Sequence, residues 1–69
     1  MKLSARNILK GTVVELAKGA VTSHVKIDVG GGKIVTSSIT NEAVSELGLK
    51  KGMTAYAVIK ASDVMVAVD

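Results

Sequence analysis

The chain has 69 residues, 48% of them apolar, a net charge of +3 at neutral pH, one histidine, one aromatic residue and no cysteine. A single domain of this size, residues 1–69, buries only about 60% of its unfolded surface, and neither a disulfide nor a thiolate zinc site can reinforce it, so association between copies is the expected support. Tyr56 alone offers no series of base-stacking platforms, which argues against nucleic acid; no apolar run reaches the ~20 residues of a membrane span, and Met1 to Arg6 lacks a signal-peptide core, so a cytoplasmic protein without a membrane partner is expected.

Leu3 to Leu16 reads as a long strand bent at Gly11, because glycine inside a strand marks a bend or a bulge. Lys18-Gly19-Ala20 turns the chain. From Val21 to Val29 the residues alternate, with Val21, Ser23, Val25, Ile27 and Val29 on one face and Thr22, His24, Lys26 and Asp28 on the other, the pattern of a half-buried strand. Gly30-Gly31-Gly32-Lys33 then predicts a hairpin turn with positive φ. A phosphate-cradling loop would lead into a helix, whereas Ile34 to Ile39 is a β-branched strand.

Thr40 has the character of a helix N-cap, followed by Glu42 in the first turn, apolar Ala43, Val44 and Leu47 at helical spacing, and Gly48 just past the end. This predicts a helix of two turns. Lys50-Lys51-Gly52 turns into a strand from Met53 to Lys60, and after the link Ala61-Ser62-Asp63 a last strand is expected over Val64 to Val68. The fold class is therefore mainly β. The order β-β-β-α-β-β is that of a small five-stranded OB-type Greek-key barrel, with one short helix between strands 3 and 4 plugging one end.

No catalytic set can be assembled from the dispersed acids Glu15, Asp28, Glu42, Glu46, Asp63 and Asp69 with the single His24, and no hydroxyl sits in a nucleophile elbow. The expectation is a protein that is not an enzyme, with no side chains acting as direct metal ligands. What remains suits an anion: Ser4 and Arg6 near the start, Thr40 at a helix N-terminus, and Lys60 at a strand end. Taken singly, each has an ordinary explanation as a surface charge, a cap, or a lysine protecting a sheet edge.

Together with their surroundings, these residues resemble a known family, the molbindins, small molybdate-binding proteins made of one molybdenum-pterin-binding or TOBE-type domain. The most specific element is Ser4-Ala5-Arg6-Asn7, followed by an apolar pair and Lys10-Gly11-Thr12-Val13. Lys18-Gly19-Ala20-Val21-Thr22, Ser38-Ile39-Thr40-Asn41, Leu47-Gly48-Leu49 with Gly52, and Ala57 to Val64 match in the same order, so the resemblance covers essentially the whole chain.

The resemblance implies an OB-type barrel assembled into a homohexamer, a trimer of dimers, with molybdate at subunit interfaces. One kind of site would use Ser4 and Arg6 of one subunit, completed by Thr40, the helix start near Ala43, Lys60 and the backbone of Ala61, with both partners of a dimer contributing. Ala43 stands where some relatives present a hydroxyl, so only its N–H could serve there. A second kind of site, around the threefold axis, would use Gly19, Ala20, Val21 and Thr22. The implied ligand is molybdate, with tungstate as a substitute and no organic cofactor, and the implied role is intracellular molybdenum storage and homeostasis. A ligand-sensing module for molybdate uptake or regulation, or a nucleic-acid-binding OB-type module, are the alternatives; with all residues used by one barrel, storage is expected.

The chemistry is consistent with this. Molybdate is a tetrahedral dianion with four acceptor oxygens and no proton, and hydroxyls, backbone N–H groups, Arg6 and Lys60 can all donate. Monohydrogen phosphate would need an acceptor that a site without carboxylates does not provide.

Overall fold

The computed structural model describes residues 1–69. Strand β1 covers Asn7–Lys18, β2 Thr22–Asp28, β3 Ile34–Thr40, helix α1 Asn41–Leu47 and β4 Thr54–Ile59, and a 3₁₀ turn follows over Ala61–Asp63. All strand pairings are antiparallel, and the sheet order is β3-β2-β1-β4.

Strand β1 serves two partners in succession. Its first half pairs with β4, from Asn7 opposite Ile59 to Thr12 opposite Thr54, and its second half with β2, from Thr12 opposite Asp28 to Lys18 opposite Ser23. Gly11 lies near this changeover. A Cβ there would stand 2.3 Å from Asp28 O and 2.7 Å from Ile27 Cγ2, so a side chain would drive the two backbones apart. The irregularity of β1 itself falls between Val13 and Glu15, where the register to β2 shifts by a bulge. The strand expected from Leu3 starts four residues later, because its ladder to β4 begins at Asn7.

The Gly30-Gly31-Gly32 turn has φ of 103°, 61° and 75°, values that side chains strain to adopt. Asp28 Oδ1 accepts from Gly30 N–H at 2.8 Å, and Val29 N–H donates to Lys33 O at 2.9 Å, which closes the hairpin. At the other end of β3, Thr40 Oγ1 accepts from Ala43 N–H at 3.1 Å, the expected N-cap. Gly48 N–H donates to Ser45 O and Leu49 N–H to Val44 O, both at 3.1 Å, ending α1 where the glycine predicted it.

Val13, Val25, Ile27 and Ala57 form the fully buried core, with Leu16, Val35, Ile39, Val44, Leu49 and Met53 packed around it. The alternation read in β2 holds from Ser23 to Ile27, with His24 exposed between buried neighbours. Val21 departs from it, at 71% exposed, because β2 begins one residue later and Val21 belongs to the turn.

The fifth strand is not formed. Val64 to Val68 makes no ladder, and Met65, Val66 and Val68 are each at least 90% exposed. The sheet is therefore a curled four-stranded structure rather than a closed barrel. Its edge strands β3 and β4 face each other across an apolar groove of about 660 Å³, lined among others by Ile27, Val35, Ile39, Leu49, Ala57 and Ile59. A continuously apolar, valine-rich segment has the same local pattern whether or not a partner edge is present, so sequence alone could not show that this one is unpaired.

Candidate functional site

The β1–β4 ladder fixes the position of the first group of anion-suited residues. Asn7 pairs with Ile59, and the Asn7 side chain donates from Nδ2 to Ile59 O at 3.2 Å. The ladder ends at this pair; Arg6 and Lys60 are the next residues beyond it on the two strands, with Ser4 just upstream and Ala61 just downstream. All four are at the surface except for partly buried neighbours Ala5 and Asn7. The one ion pair of the chain joins Lys26 to Glu15 at 3.4 Å, so neither Arg6 nor Lys60 has a carboxylate partner. Ala61 N–H is taken by no backbone group. Two uncompensated cations, a hydroxyl and a free N–H, all able to donate, thus lie just beyond the same end of the β1–β4 ladder.

Thr40 and Ala43 lie elsewhere. Thr40 pairs with Thr22, which places it beside the turn Gly19 to Thr22 at the far end of β1. The cap uses Thr40 Oγ1 as acceptor, which leaves its hydroxyl proton available to donate, but it also uses up Ala43 N–H. The backbone donor considered at Ala43 is therefore engaged within its own helix.

The turn is held by a small network. Gly19 N–H donates to Thr22 O and Asn41 N–H to Val21 O, both at 2.8 Å. Asn41 Nδ2 donates to Gly19 O at 3.0 Å, and Ser23 Oγ donates to Asn41 Oδ1 at 2.6 Å. Ala20 N–H and Val21 N–H are engaged by no backbone group. Beside the turn lies a pocket of about 250 Å³ lined by Leu16, Lys18, Ser23, Asn41, Val44 and Ser45.

The structure thus sorts the residues predicted for one interface site into two groups. Ser4, Arg6, Lys60 and Ala61 stand on the β4 side of the groove; Thr40 and Ala43 stand on the β3 side, in company with Gly19, Ala20, Val21 and Thr22. β3 and β4 are not neighbours in the sheet, and the two groups lie at opposite ends of β1, twelve residues long. One tetrahedral anion does not reach from one group to the other.

Sequence reasoning passed over Asn41, Ser23 and Lys18. Ser23 carried a signal, being a polar residue on the apolar face of its strand, and such a residue when buried needs a hydrogen-bond partner. The partner, Asn41, lies eighteen positions away and could be found only through the fold.

Comparison with known proteins adds to this geometry. The TOBE domain family matches residues 3–66. A probable molybdenum-pterin-binding protein of Haemophilus influenzae is 52% identical over 69 residues, covering all of both chains. Among solved structures, MopII from Clostridium pasteurianum superposes with a TM-score of 0.91 at 48% identity, over 97% of this chain and 100% of that one. The cytoplasmic molybdate-binding protein ModG, with molybdate bound, superposes with a TM-score of 0.90 at 55% identity, over 94% of this chain and 46% of the ModG chain. No helix is long and apolar enough to cross a membrane.

Proposed function

Since the chain belongs to the TOBE-domain family of molybdenum-pterin-binding proteins, we propose that it binds molybdate between its own subunits, as a non-enzymatic store for molybdenum in the cytoplasm. The observation that carries the reading is the division of donors between the two sides of an open groove. Ser4, Arg6, Lys60 and Ala61 N–H make half a shell without acceptors, and Thr40, at the helix start near Ala43, makes the other half on a neighbouring copy. The turn Gly19 to Thr22, whose Ala20 and Val21 N–H groups are taken by no backbone acceptor, is the second kind of site, repeated around a threefold axis in a homohexamer.

Uncovered apolar surface supports assembly. The groove is lined mainly by apolar side chains, and the exposed tail Val64, Val66 and Val68 presents one apolar face at strand spacing. A tail from one copy laid along the groove of another satisfies both. It also supplies the unpaired edges of β3 and β4 with a ladder partner.

Hydrogen bonds to a charged acceptor contribute roughly 1.5–3 kcal/mol each, so four or five donors offset the dehydration of a dianion and give micromolar or tighter binding. Tungstate, alike in charge and nearly in size, binds equally well. Monohydrogen phosphate meets no acceptor for its proton, and sulfate is too small to touch all the donors at once. Native mass spectrometry with and without molybdate tests the reading directly: a hexamer carrying anions is expected, and a monomer without anion would overturn it.

A further inference from the structure

The first residue of α1 holds the turn before β2 by two hydrogen bonds and is tied to β2 itself by a third, and the oxyanion shells described above make no use of it. Asn41 N–H donates to Val21 O at 2.8 Å, Nδ2 donates to Gly19 O at 3.0 Å, and Oδ1 accepts from Ser23 Oγ at 2.6 Å. Ser23 is the one fully buried polar residue, 1% exposed. Chemistry settles which way the amide faces: a carbonyl only accepts, so Nδ2 must point to Gly19, and the buried hydroxyl then donates to Oδ1.

In a trans peptide the C=O and N–H point in opposite directions. Drawing Gly19 O toward Asn41 therefore turns the N–H of Ala20, which lies in the same peptide plane, away from the helix. No backbone group takes that N–H, nor the next one, at Val21. The grip on Gly19 O and the outward aim of Ala20 N–H are thus one structural fact.

We propose that Asn41 is a positioning residue for oxyanion binding at the Gly19 to Thr22 turn, acting by fixing the peptide plane that presents Ala20 N–H and touching no ligand itself. The inference rests on the reading of that turn as an oxyanion site. Its physical basis is preorganisation: a donor already held in its binding orientation loses little freedom when the anion arrives. Ser23 belongs to the same device, since its buried hydroxyl fixes the Asn41 side chain from below.

The informative variant is the double substitution Asn41→Leu with Ser23→Ala. Removing both partners of a buried hydrogen bond leaves no orphaned polar group, and the main-chain bond from residue 41 to Val21 O does not depend on the side chain. Of the bonds to the turn itself, only the grip on Gly19 O is lost. The full-length ¹⁵N-labelled protein is titrated with sodium molybdate while backbone amide shifts and the melting temperature are followed. In the wild type the Ala20 and Val21 amides should move and saturate. In the double variant the affinity read at those amides should fall roughly thirtyfold, the effect of one charge-assisted hydrogen bond. The affinity read at the Ser4 and Arg6 amides, and the melting temperature without molybdate, should stay as they were.

A folded double variant that binds molybdate at Ala20 as tightly as the wild type overturns the positioning role alone. Wild-type amides at Ala20 and Val21 that ignore molybdate overturn the turn as a site, and the role of Asn41 with it. Should the double variant unfold, Asn41→Ser, whose side chain is too short to reach Gly19 O, carries the same comparison and the same two outcomes.

Discussion

Arg6→Ala is the sharpest test of the interface site, because the side chain is exposed and unpaired in the single chain. Without ligand the substitution should leave stability within about 0.5 kcal/mol, as for other surface changes. With ligand the comparison is quantitative. Molybdate at a hundred times its Kd stabilises the folded state by about 2.7 kcal/mol per site. For 69 residues, with about 2.1 cal/mol/K of unfolding entropy per residue, this raises the melting temperature by roughly 19 °C. Losing one hydrogen bond to a charged acceptor, about 2 kcal/mol, weakens binding roughly thirtyfold. The same molybdate concentration then stabilises by only about 0.9 kcal/mol, or roughly 6 °C. Differential scanning fluorimetry at fixed protein concentration reads both numbers. A shift in Arg6→Ala equal to that of the wild type would refute the contact, and a lowered melting temperature without molybdate would show that Arg6 has a structural role instead.

Three further outcomes follow from the packing. Val13 is fully buried at the centre of a four-residue core, so Val13→Ala should cost about 1–3 kcal/mol in urea unfolding, and an unchanged midpoint would contradict the core assignment. Gly11→Ala places a methyl 2.3 Å from Asp28 O; it should destabilise by about 1–3 kcal/mol through forced separation of β1 and β2, where a wild-type urea midpoint would show that no such contact exists. Removing Val64 to Asp69, a segment without ladder bonds in the single chain, should leave the circular dichroism of the four strands unchanged while shifting sedimentation to smaller species; sedimentation identical to the intact chain would exclude the tail from the subunit contacts.

Much of the fold was legible because its signals are local. Alternation from Ser23 to Ile27 marks β2, the three glycines at 30–32 mark its turn to β3, and Thr40 and Gly48 bracket α1. Each of these depends on residues within a few positions of one another, where backbone sterics and capping act. Val64 to Val68 carries an equally good local signal, yet a strand exists only when another edge supplies its hydrogen bonds, and this segment forms no ladder with either free edge of its own sheet.

The candidate site divides in the same way. Which groups can donate to an anion is a property of residue type, so Ser4, Arg6, Thr40 and Lys60 could be chosen from sequence for their chemistry. Which of them stand together is a property of register. Arg6 and Lys60 are brought to the same end of the sheet only by the β1–β4 ladder, which ends one residue short of each, and Thr40 is carried to the turn at Gly19 by the β2–β3 ladder. Asn41 could not be singled out, since its three hydrogen bonds all end on residues eighteen or more positions away. By itself the sequence determined the elements and the donor chemistry, because both are set by near neighbours and side-chain type. Only the tertiary structure decided that the donors stand in two groups on opposite sides of an open groove, because that depends on which distant strands share hydrogen bonds and which edges are left without them.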